Sequence, residues 1–78
     1  MTLQRYRRHK EVNAARIERI HILEHVAWIT LEKESPIPMP REWVERHAPE
    51  PGGYLVIYDD GYRSYSPAAA FEAGYTPV

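Results

Sequence analysis

Apolar positions along this chain change their spacing from segment to segment, and the changes mark its elements. In EVNAARIERIHI (11–22) two patterns compete. Ala14, Ile17, Ile20 and Leu23 recur every three residues, as on a helix, whereas Val12 with Ala14 and Ile20 with Ile22 alternate, as on a strand. The strand reading needs a bulge for Ile17 to join either face, so periodicity alone leaves this segment open. The next run, HVAWITLE (25–32), is short, β-branched and aromatic, with Ala27, Ile29 and Leu31 alternating against Val26, Trp28 and Thr30. It predicts a strand over 26–32.

KESPIPMP (33–40) carries proline at alternate positions. Proline forbids helix and removes backbone donors, so an extended surface connection is expected. REWVERHA (41–48), directly after Pro40, predicts two helical turns with Trp43, Val44 and His47 on the apolar side. APEPGG then breaks the chain. In GYLVIYDDGYRSYS (53–66) two β-rich runs flank Asp59-Asp60-Gly61, the strongest local signal present. It predicts a hairpin whose glycine supplies a positive φ, with a turn of either two or three residues. SPAAAFEAG predicts a helix over 67–73, with Ser66 as N-cap, Pro67 first, Phe71 packing inward and Gly74 as the stop. Tyr75 is expected to close over the helix end, and the last residues to trail away.

Three or four short strands and two short helices make this an α+β chain: a small antiparallel sheet of two hairpins with the helices packed against it. Its 78 residues suffice for one domain, 11–78, with 1–10 as a basic and flexible arm. A domain of this size buries only about 60% of its unfolded surface. The 44% hydrophobic and 27% charged composition is ordinary for a globular protein. Absence of cysteine excludes disulfides and thiol catalysis. No apolar run approaches a membrane span, and MTLQRYRRHK lacks the apolar stretch of a signal peptide, so neither membrane insertion nor secretion is expected.

The formal net charge of −1 hides two unlike ends. Residues 1–20 hold six Lys/Arg against Glu11 and Glu18, a balance of +4, and the remainder holds four against nine acids, a balance of −5. Arg5, Arg7, Arg8 and Lys10 could therefore meet nucleic acid, an acidic partner or the acidic body of another copy. The ordinary reading is a solvated arm.

HILEH (21–25) spells H-x-x-E-H, a zinc-protease signature in which two His on one helical face hold the metal and Glu activates its water. A strand or turn at 21–25 destroys that face, and a third ligand and a cleft are wanting in so short a chain. Neither a metal nor a cofactor is expected. The acid pairs Glu32/Glu34, Glu42/Glu45 and Asp59/Asp60 suit a strand end, an exposed helix and a turn better than acid–base chemistry. Gly52-Gly53 precedes a strand, so it is not a phosphate loop. No catalytic residue is expected, and the chain reads as a non-enzyme.

The tyrosines stand out. Tyr54, Tyr58, Tyr62 and Tyr65 crowd one hairpin with Arg63, and aromatics with Arg are favoured at protein interfaces and on base-stacking platforms. With Trp43 nearby they form the candidate interaction surface, although packing in a core poor in Leu and Phe accounts for them as well. Trp28 and Trp43 divide the same way, as core cover or interface anchors.

The C-terminal block carries Gly52-Gly53-Tyr54, Val56, Tyr58, Asp59-Asp60-Gly61-Tyr62, Ser66-Pro67 and Phe71-Glu72-Ala73-Gly74-Tyr75-Thr76. In this it resembles a family of small, mostly uncharacterised proteins of tailed phages and prophages. The resemblance covers about half the chain, reaches weakly to Val12, Ala14 and Ile17, and misses the basic arm. It implies a strand over 11–21, then a turn near Leu23-Glu24-His25, then a second strand. It also implies an accessory protein in the bacterial cytoplasm or the virion, working through a host or phage protein; separately, exposed hairpin edges in the expected sheet invite a second copy of the chain as a homodimer. The alternative is a nucleic-acid or nucleotide binder using the arm and the hairpin aromatics.

Overall fold

A computed structural model describes residues 3–7 and 11–77. The chain is an α+β domain built on one antiparallel sheet: β1 (Gln4–Arg7), β2 (Glu11–Leu23), β3 (Val26–Leu31), β4 (Ile37–Pro40), α1 (Arg41–His47), β5 (Tyr54–Ile57), β6 (Arg63–Ser66), α2 (Ala68–Gly74) and β7 (Thr76–Pro77). The thirteen-residue β2 is its spine. Its first half pairs with β1 and β5, and its second half with β3.

The two patterns that compete over 11–22 are resolved by a register shift between Ile17 and Arg19. Before it, Val12 and Ala14 face one side of the sheet. A residue inserted at Glu18 inverts the alternation, so Ile17 and Ile20 point to the same side although they stand three positions apart. What reads as helical period is therefore a bulged strand. Ile17 is clamped at this point by backbone bonds to the Gly52-Gly53 corner, donating to Gly53 (2.8 Å) and accepting from Gly52 (2.8 Å).

Each face of the sheet carries its own core. On one, Ile17, Ala27, Ile29, Leu31, Met39 and Leu55 pack with Trp43 of α1. On the other, Val12, Ala14, Tyr54 and Val56 pack with Phe71 of α2. β5 lies between both cores, which is why Tyr54-Leu55-Val56 reads as a continuous apolar run with all three buried.

The structure corrects several expectations. Among the described residues strands number seven rather than three or four, and the sheet exceeds two hairpins. Residues 4–7 of the expected arm form β1, paired with residues 11–14 of β2. Thr76–Pro77 pairs with β1 instead of trailing away. Residues 37–40 form a strand along β3. The Arg41 N–H donates to the His25 carbonyl (3.2 Å), and alternation from there turns the Ile37 and Met39 amides toward β3. Pro38 and Pro40 then fall on the outer side, where an edge strand tolerates a missing donor. Ser66 ends β6 rather than capping α2, and Pro67 occupies the cap position without a side-chain hydrogen bond.

Candidate interaction surface

The hairpin β5–β6 turns through three residues. The Gly61 N–H donates to Tyr58 O (2.9 Å), the Tyr58 N–H to Tyr62 O (2.9 Å), and the Tyr62 N–H to the Asp60 carboxylate (3.0 Å), with Gly61 at φ +90°. This is a tight turn closed by a glycine in the left-handed region, where a Cβ would be strained. It settles the tyrosine faces: Leu55 pairs with Tyr65, and Tyr54 with Ser66.

The expected common surface is therefore divided. Tyr54 is buried against Phe71, ring centroids 4.2 Å apart, and its hydroxyl donates to Glu72 (2.9 Å), which also pairs with Arg16 (2.9 Å). Burial first, then the Glu72 hydrogen bond, raise the Tyr54 pKa above its ordinary value. Trp43 is buried on the opposite side, its indole N–H donating to the Arg63 carbonyl (3.0 Å). Tyr65 is half-buried against the α1-side core, its ring lying over Gly53. Three of the six candidates thus hold the fold together.

Tyr62 and Arg63 remain exposed, and Tyr58 is half-buried against the α2-side core. The Tyr58 and Tyr62 rings stack at 6.0 Å and 20°, with Tyr62 48% exposed. Beneath Tyr62, at 6.4 Å, lies the ring of His47, itself 5.0 Å from Trp43. Desolvation first, and the charge of Arg46 second, lower the His47 pKa, which favours the neutral ring. Tyr58, Tyr62 and Tyr75 border a depression of about 500 Å³ together with Glu11, Asp59 and Asp60. The Arg63 guanidinium lies 3.2 Å from the Met39 sulfur.

The basic residues stand apart from this surface in role. Arg5 faces Glu11 (3.4 Å) and Asp59 (3.4 Å), and Arg7 faces Glu11 (3.6 Å). Arg8 and Lys10 lie outside the described residues. In HILEH, His21 belongs to β2 while Glu24-His25 form the turn between Leu23 and its partner Val26, so the two His share no helical face. Among the described residues no three His, Asp or Glu side chains gather as a metal site would require. No helix among them is long and apolar enough to cross a membrane.

Sequence reasoning missed two features. Tyr6, assigned to the arm, packs edge-on to Phe71 (4.7 Å) and completes the aromatic cluster with Tyr75. The end of the β2–β3 hairpin leaves Ile22 (49%), Leu23 (48%) and Trp28 (38%) exposed. Only the alternation of Trp28 against the buried Ala27 and Ile29 signals the latter. In comparisons with protein-family models, with curated proteins and with solved structures, none matched the chain.

Proposed function

We propose that this chain is a small, non-catalytic accessory protein of a tailed phage or prophage. It acts by contact with a host or virion protein, in the bacterial cytoplasm or in the particle, through the surface around Tyr58, Tyr62 and Arg63. The phage assignment rests on the resemblance of the C-terminal block. The observation that carries the contact reading is the exposed Tyr62 ring, stacked on Tyr58 with the His47 ring beneath it, on a backbone held by a closed three-residue turn. An aromatic held rigid at the surface loses little side-chain entropy on binding, which is the property of an interface anchor.

Catalysis has less support. Asp59 already faces Arg5, Glu45 faces Arg41 (3.8 Å), and Asp60 closes the turn. The nucleic-acid alternative meets a similar objection, because Arg5 and Arg7 lie against carboxylates that offset their charge.

The test is tagged purification from infected bacteria, with protein identification of everything retained and of purified virions. A host protein retained at near-equal stoichiometry makes the chain a modulator of that protein. Its presence in virions with only phage proteins retained makes it a particle component. Recovery of nucleic acid without protein, lost at raised salt, would overturn the reading in favour of the alternative.

A further inference from the structure

The far end of the α2 side of the sheet, past the bulge of β2, points to self-association. β2 carries helix α2 over its first half, where Val12 and Ala14 meet Phe71. Past the bulge the same face continues as Arg19, His21 and Leu23, paired with Thr30, Trp28 and Val26, and then with Pro38 and Pro40 across β4. A seven-residue helix is about 10 Å long and cannot reach this far along a molecule whose longest axis is 37 Å. Helix α1 offers no cover, because Trp43 lies in the core of the opposite face with Ala27 and Ile29. The result is a groove of about 670 Å³ bordered by Leu23, Trp28 and Pro36, and by Pro51 of the loop after α1, with Trp28 38% exposed.

We infer that this groove is covered by the same face of a second copy of the chain, packed sheet on sheet about a two-fold axis near His21 and Trp28. The charges at its two ends select this occupant. Arg19 stands at the inner end and Glu24 at the hairpin tip, with His21, Leu23, Val26 and Trp28 between them. Among the described residues neither Arg19 nor the Glu24 carboxylate has an ion-pair partner within the chain. Arg41, at the tip, is engaged by Glu45 and by the Glu24 carbonyl (2.9 Å). With that axis in the plane of the interface and perpendicular to the strands, the tip of one hairpin lies over the inner end of the other, so Arg19 meets Glu24 twice, once in each direction. Association along the β4 edge is disfavoured, because Pro36, Pro38 and Pro40 leave it without outward donors. The face is small beside a standard interface of about 20–30 residues a side, so association in the micromolar range is expected.

Sedimentation equilibrium of the full chain from about 10 µM to about 1 mM tests this independently of the tyrosine surface. A concentration-dependent dimer is expected. Trp28→Ser and Arg19→Glu, both at exposed positions, should each shift it to monomer, and Arg19→Glu with Glu24→Arg should restore it. A wild-type monomer throughout the range overturns the inference. So does a dimer that persists in both single variants, or one that the double variant fails to restore.

Discussion

The ring of Tyr65 lies over Gly53 so closely that a Cβ at residue 53 would overlap it. Two strands are locked by this contact, since Gly53 also accepts the Ile17 amide beside the bulge of β2. Gly53→Ala should therefore destabilise the fold by about 1–3 kcal/mol, the usual cost of overpacking. Tyr65→Ala combined with it should cost less than the two singles summed, because the clash is then gone. Urea denaturation of the four proteins measures the coupling, and strict additivity would refute the contact.

The two tryptophans should report opposite environments. Trp43 is 8% exposed and Trp28 38% exposed. In Trp28→Phe, fluorescence from Trp43 should resist acrylamide quenching, whereas Trp28 in Trp43→Phe should be quenched readily. Trp43→Phe should also lower stability by about 1–3 kcal/mol, because the Arg63 carbonyl loses its indole donor. Equal quenching in the two variants would contradict the placement.

Stability should fall at both ends of the pH scale for separate reasons. The Tyr54 pKa is raised by burial and by Glu72, so its contribution is complete below the unfolded value near 10.0 and is lost as pH rises above it. The His47 pKa is lowered by burial and by Arg46, so its contribution is complete above 6.5 and is lost as pH falls below it. Denaturation across pH should show a shallower alkaline decline in Tyr54→Phe and a shallower acid decline in His47→Gln. Unchanged slopes in both variants would rule out these assignments.

Elements whose signal is local were legible in the sequence. Asp59-Asp60-Gly61 specifies its own turn, Pro40 and Pro67 sit at the helix starts, and Trp28 alternates cleanly against Ala27 and Ile29. Elements that exist only by pairing were not. Gln4–Arg7 and Thr76–Pro77 carry no apolar alternation and are strands because β2 and β1 offer them an edge. Residues 37–40 hide a strand beneath prolines whose missing donors point outward. The candidate surface was half legible for the same reason. Tyrosine spacing brings the four rings to one hairpin, but the length of the turn decides which face each occupies, and the partners that bury Tyr54 and Trp43 lie far along the chain.

The exposed tyrosine surface is the centre of this account, and Tyr62→Asp tests it most directly. At 48% exposure the side chain can be replaced without disturbing the core, and an unchanged circular dichroism spectrum and denaturation midpoint would verify that. The measurement is quantitative recovery of co-purifying proteins from infected cells with wild-type and Tyr62→Asp chains side by side. An interface anchor predicts that one protein retained by the wild type falls by about tenfold or more with the variant. Equal recovery of every protein by the two chains would contradict the account.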